Sequence, residues 1–205
     1  MYRVYYKKVR VNSNFFSEKG YYMQKTIEFI NEKTKNFKPE IGIILGSGLG
    51  ELADEYCDFA IPYNDIPDFI KSTVHGHKGR LVFSEIQDKK VIMMQGRNHF
   101  YEGHSMREIT YPVKIMKALG VKTLILTNAA GAVNESFKPS DLMLITDHIN
   151  NMGSNPLIGP NDDKLGERFP DMTEGYKKSL VQTAEKCAEK LGIEIKKGIY
   201  WANSG

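Results

Sequence analysis

The sequence predicts an α/β fold, helices packed on a central β-sheet, from three observations. Short apolar runs bounded by Gly, Asp, Lys or Asn recur along the chain, as strands of a sheet covered on both faces do. Between them lie longer stretches whose apolar residues return at helical spacing. No internal repeat or low-complexity tract breaks the pattern, so the 205 residues are read as a single α/β unit.

Taken in order, residues 1–22 are basic and aromatic without a clean period and read as an N-terminal extension or a mis-assigned start, leaving 23–205 as the domain. The alternation of Tyr2, Val4 and Tyr6 with Arg3 and Tyr5 also fits an added edge strand. Ile27, Ile30 and Thr34 predict a helix over 24–35, and Pro39 then forces an extended entry into the buried strand Ile41 to Leu45. Strands follow at Leu81 to Phe83, Val91 to Met94, Leu124 to Leu126 and Leu142 to Ile145, with a last one at Gly198 to Trp201. Ser105-Met106-Arg107-Glu108 is a capping box. The stripe Ile109, Val113, Met116 and Leu119 then predicts a helix ending at Gly120 and bent at Pro112. From about Glu174 a further helix carries Tyr176, Leu180, Ala184, Cys187 and Leu191 on one face, which places Cys187 in the core, and Gly192 is its natural stop.

Composition excludes several classes of function. With 41% hydrophobic and 26% charged residues the chain is ordinary for a soluble globular protein. Its net charge of +3 offers no basic face for nucleic acid, and no apolar run approaches membrane-spanning length. Cys57 and Cys187 form neither a disulfide framework nor a metal motif, which fits a reducing cytoplasm and no export.

Four segments carry the chemistry. Gly46-Ser47-Gly48-Leu49-Gly50 follows a strand, and its alternate glycines let backbone amides approach an anion while Ser47 adds a hydroxyl donor. Its spacing is not GxGxxG and no Walker lysine follows, so by itself it reads as a generic anion cradle, and the dinucleotide and nucleoside triphosphate readings are weaker. A plain strand-to-helix turn fits the same residues. After the strand ending at Met94, Gln95 to His104 places Arg97, His99, Tyr101, Glu102 and His104 where ligands of α/β folds gather. A charged, solvated loop is the alternative. Thr127 to Ala132 is a loop of small residues in which Asn128 can orient the backbone, and tight packing explains it equally. His75-Gly76-His77 could suggest a metal, but no third ligand stands at a recognisable spacing, so these histidines are read as anion donors and no metal is expected. The long polar stretch from Asp147 to Met172 has the character of a lid, a covering loop or a subunit contact.

Together GSGLG, STVHGHKGRLVF, GRNHFYEGH, TNAAGAVN, DHINNMGSNPLIGPN and GERFPDM occur in the order found in purine nucleoside phosphorylases of the trimeric, low-molecular-mass kind, and the chain resembles that family from about Met23 to its end. The resemblance implies a three-layer α/β/α architecture with a mixed central sheet. It also implies reversible phosphorolysis of purine (deoxy)ribonucleosides in purine salvage, without a metal or organic cofactor, inorganic phosphate being the co-substrate. On the family's pattern Ser47, His77, Arg97, His99 and the backbone of Ala129 hold phosphate. Arg97, His99 and Glu102 are the catalytic set, with Glu102 orienting neighbours such as His77 or Arg97. Tyr101 packs on the ribose, and Phe169 reaches across the interface of a homotrimer to a neighbour's sugar. His75 stands where the family has proline. The family continues beyond the equivalent of Gly205 with further strands and helices that carry its purine-reading residues. A truncated phosphorylase, with an exposed apolar sheet edge and poor solubility, is therefore the expectation, and a non-catalytic phosphate-binding or oligomerising remnant the alternative. A methylthioadenosine phosphorylase, the sister family of the same fold, usually has threonine in place of Ser47.

Overall fold

A computed structural model describes residues 14–70 and 78–204. They fall into two compact units, Met1–Arg97 with Ile115–Leu126, and Asn98–Lys114 with Thr127–Gly205.

The first unit is built on a mixed five-stranded sheet of β1 (Ile41–Leu45), β2 (Phe59–Pro62), β3 (Arg80–Ile86), β4 (Lys89–Gln95) and β5 (Thr123–Leu126), in the order β2-β3-β4-β1-β5. β1 runs parallel to both β4 and β5, whereas β2, β3 and β4 form an antiparallel meander. The strands predicted at Ile41 to Leu45, Leu81 to Phe83, Val91 to Met94 and Leu124 to Leu126 are all present. β2 is new, and the sequence hides it because Pro62 cannot donate to a ladder and only an edge position tolerates it. The central strands are buried through Leu81, Val82 and Phe83 on β3 and Val91 to Met94 on β4. Leu45, Val82, Val91 and Met93 cluster with Ala53 of the short helix α2 (Gly50–Glu55). Ile30 of α1 (Asn14–Lys33) and Ile115, Met116 and Leu119 of α3 (Met106–Leu119) are fully buried as well.

Gly42 shows how close α3 comes to the sheet. A β-carbon there would stand 3.0 Å from the Met116 sulfur and 3.1 Å from a Leu124 methyl, tighter than ordinary contact. α1 begins at Asn14, not at Gln24. Further along the helix, buried Thr26 donates to the Pro67 carbonyl at 2.7 Å. The proposed strand at Tyr2 to Tyr6 lies outside the described residues.

The β3–β4 hairpin turns on Gln87 and Asp88, whose φ angles of 48° and 60° define a two-residue turn with both central residues left-handed. Such turns favour Asn-Gly, and non-glycine residues there cost about 1 kcal/mol each. Gln87→Asn combined with Asp88→Gly is expected to raise the thermal midpoint by about 2–4 °C, read by circular dichroism. A midpoint at or below wild type would contradict the turn assignment.

In the second unit β6 (Leu142–Asn150) pairs in parallel with β7 (Ile195–Ala202), with a bulge between Ile145 and Asp147. Both strands run beyond their predicted ends. α4 (Lys178–Lys190) packs on β6 and stops as expected, with Gly192 left-handed at φ 68°. Its inward face is only partly the one predicted, sharing Ala184 with it. Val181, Ala184 and Ala188 are the covered positions, while Leu180, Cys187 and Leu191 are exposed, so Cys187 is not a core residue. A 3.6-residue period accommodates both stripes, and packing on β6 selects the smaller side chains. The capping box of α3 is present: the Ser105 N–H donates to Glu108 Oε2 at 2.7 Å, and the Glu108 N–H to Ser105 Oγ at 3.3 Å. These bonds hold the Glu108 carboxyl below its ordinary range. Pro112 lies within the helix without dividing it.

Candidate active site

The parallel strands β1, β4 and β5 all end on one edge of the sheet, where Leu45 pairs with Gln95 and Ile44 with Leu126. Three of the four chemistry-bearing segments follow those ends directly: Gly46 to Gly50 after β1, Gly96 to His104 after β4, and Thr127 to Ala132 after β5. This is the end at which open α/β sheets bind ligands.

In the first unit, the glycine loop bends through Gly48 at φ +86°, a conformation that only glycine adopts freely, and a β-carbon there would meet nothing within 4 Å. The Leu49 N–H donates to Gly46 at 3.2 Å, and Ser47 stands exposed at the tip. Gln95, the last residue of β4, donates to the Gly50 carbonyl at 2.7 Å and accepts from Arg80 Nε at 2.6 Å. Arg80 Nη2 and Lys78 Nζ converge on Asp54 of α2 at 2.6 and 2.7 Å. The Lys78 ammonium first, and then the neighbouring Gln95 amide, hold the Asp54 carboxyl below its usual range. Gly96 then turns the chain at φ +97°, with its carbonyl fixed by the Tyr63 hydroxyl at 2.7 Å. Tyr63 is buried against Phe69, and burial pushes its hydroxyl well above the ordinary tyrosine value, so it stays a donor at any working pH. Half-buried Arg97 follows this pinned turn.

In the second unit, His99 to Glu102 form a tight turn that Gly103 closes in the left-handed region, at φ +91°. Glu102 is 11% exposed, and its Oε1 accepts both the His99 backbone N–H at 2.8 Å and the His99 Nδ1–H at 2.7 Å. His104 brings Nε2 to 3.9 Å from the other carboxylate oxygen. The Tyr101 ring stacks on His99 at 4.8 Å, with 71% of the tyrosine exposed. Among the neighbours that the sequence expected Glu102 to orient, His99 is held by these bonds, and His77 lies outside the described residues. With Nδ1–H given to Glu102, the neutral imidazole presents Nε2 outward as an acceptor, and the imidazolium presents it as a donor.

Asn128 donates to the adjacent Ala129 carbonyl at 3.3 Å, and Ala129 is exposed. Phe169 is 83% exposed beneath the Arg168 guanidinium, which lies 5.6 Å from its ring. The loop beside it is tied by backbone carbonyls: Arg168 donates to Leu157 and Arg107 to Ile158. His75 and His77 lie outside the described residues. Among the described residues no three His, Cys, Asp or Glu side chains gather as a metal site, and no helix is long and apolar enough to cross a membrane.

Gln95, Arg80 and Tyr63 were not singled out from the sequence. For Gln95 a signal existed, because an amide at the end of the fully buried run Val91 to Met94 must find partners.

Residues 40–205 match the model of the phosphorylase superfamily. The chain is 56% identical to purine nucleoside phosphorylase 1 of Geobacillus stearothermophilus over 184 residues, covering 89% of this chain and 67% of that protein. It is 58% identical to purine nucleoside phosphorylase 1 of Bacillus subtilis over 168 residues, covering 82% and 62% respectively. A crystal structure of isoform 2 of the Schistosoma mansoni purine nucleoside phosphorylase, in complex with cytosine and ribose-1-phosphate, superposes with a TM-score of 0.85 at 42% identity, covering 90% of this chain and 67% of that one. The chain thus spans about two thirds of the length of the relatives it matches.

Proposed function

The chain belongs to the phosphorylase superfamily, and from that premise we propose that it phosphorolyses purine (deoxy)ribonucleosides to free base and (deoxy)ribose 1-phosphate, in purine salvage. One observation carries the reading: the glycine loop and Arg97 leave adjacent parallel strands at the same end, next to each other in the Leu45–Gln95 register. An amide nest with a hydroxyl beside a guanidinium fork suits a small tetrahedral dianion that must stay free to react. Ser47, Arg97, His99 and the Ala129 backbone hold phosphate, joined by His77. Tyr101 packs on the ribose and Phe169 covers a neighbour's sugar in a homotrimer. Their exposure, at 71% and 83%, suits side chains that wait for a ligand or a partner.

As the glycosidic bond loosens, positive charge grows on the sugar ring, and a phosphate held against its far face stabilises that charge before adding to the anomeric carbon. The C–N bond breaks towards the base, the C–O bond forms to phosphate, and the base takes up a proton. His99, oriented by Glu102, fixes one phosphate oxygen so that another faces the carbon. No metal or organic cofactor enters this scheme, and a cytoplasmic setting suits two free cysteines.

The test is phosphate-dependent cleavage of inosine, guanosine, adenosine and methylthioadenosine by this chain. Turnover of inosine or guanosine is the expected result. Turnover of methylthioadenosine alone would move the chain to the sister activity, and phosphate binding without any turnover would leave a binding module.

A further inference from the structure

Resting on the phosphate-site reading above, we propose that Gln95 is a positioning residue for phosphate, which sets the glycine loop by bridging Arg80 to the Gly50 carbonyl. Gln95 is 5% exposed, and a buried amide is tolerated only with both ends satisfied. Both are, and the arrangement has one solution. Arginine only donates, so Gln95 must turn its oxygen to Arg80, and its amino group must then face Gly50. The two side chains stand directly opposite each other across the β3–β4 ladder, so their meeting follows from strand register.

The effect on the loop comes from where these bonds land. Gly50 closes the glycine loop and opens α2, and Asp54 lies near the other end of the same short helix. Gln95 holds the first and Arg80 the second, with Lys78 added at Asp54. Within the loop the Leu49 N–H donates to the Gly46 carbonyl at 3.2 Å, and Gly48 is left-handed, with nothing within 4 Å of where a β-carbon would stand. A β-carbon on Gly50 would rest 3.5 Å from Gln95 Nε2, so the amide lies directly against the residue it holds. An anion cradle works only if its donors are fixed before the ligand arrives, because the freedom lost on binding subtracts from affinity. Gln95 supplies that preorganisation from the rigid end of a central strand.

Gln95→Leu keeps the apolar volume and removes the bridge. It is expected to raise the KM for phosphate about tenfold, the worth of one buried hydrogen bond, while the nucleoside KM stays within about twofold. Gln95→Glu still accepts from Arg80 but sets a carboxylate against the Gly50 carbonyl, and is expected to weaken phosphate at least as much. Asp54→Asn keeps the test open if Gln95→Leu does not fold, with an expected rise in phosphate KM of about two- to threefold. Calorimetric binding of inorganic phosphate to each folded variant gives a readout apart from turnover. Wild-type phosphate KM and affinity in the folded variants, or an equal loss in both substrates, would overturn the role of Gln95. Absence of phosphate binding and turnover in the wild type would instead sink the phosphorylase reading itself.

Discussion

Arg97→Ala is expected to lower phosphorolysis by about a hundredfold or more while leaving the fold intact. Arg97 follows the end of the buried central strand β4, so its backbone is placed by the sheet and by the Tyr63 hydroxyl on the Gly96 carbonyl. Arg97 as a residue is only half-buried, so truncating it opens no cavity in the core. On the proposed function, what disappears is a permanent positive charge with paired donors for the dianion that must be held as the oxocarbenium-like sugar forms. Because the nucleophile and the stabilising charge are the same phosphate, losing its grip costs both binding and rate. Arg97→Lys restores the charge but not the fork, and an intermediate loss of about tenfold is expected. Steady-state cleavage of inosine with phosphate varied decides the matter. Activity of the folded Arg97→Ala chain within about threefold of wild type would remove Arg97 from the phosphate site.

The strands could be read from the sequence because burial on both faces writes itself as continuous apolar runs, as at Ile41 to Leu45 and Val91 to Met94. What stayed hidden depends on contacts with no local signature. β2 carries a proline that argues against a strand until its edge position is known. α4 has two candidate faces, and only packing on β6 shows that the smaller one turns inward, leaving Cys187 outside. The site divides along the same line. Ser47, Arg97, His99, Tyr101 and Glu102 stand in motifs dense enough in polar groups to be noticed. Gln95 and Tyr63 act at Gly50 and Gly96 from 45 and 33 residues away in sequence, and no spacing announces such a bond.

Glu102 and His99 are expected to behave as one unit in mutant kinetics. The Glu102 side chain is 11% exposed and gives one oxygen to both the His99 backbone and its imidazole, so it fixes the ring in position and in tautomer. Glu102→Leu removes both bonds and frees the ring to rotate away from Tyr101, on which it stacks. A loss of about a hundredfold in kcat/KM is expected, and Glu102→Gln, which keeps an acceptor oxygen but not the charge, should lose about tenfold. His99→Ala should cost about as much as Glu102→Leu. The double variant should then be hardly worse than either, because whatever the carboxylate contributes through the imidazole is already lost once the ring is gone. A purely structural role predicts something else: Glu102→Leu would lower the thermal midpoint and reduce activity equally with or without His99. Measuring kcat/KM for the four chains of this cycle, alongside their thermal midpoints, separates the two. Losses that multiply would show that Glu102 acts independently of His99.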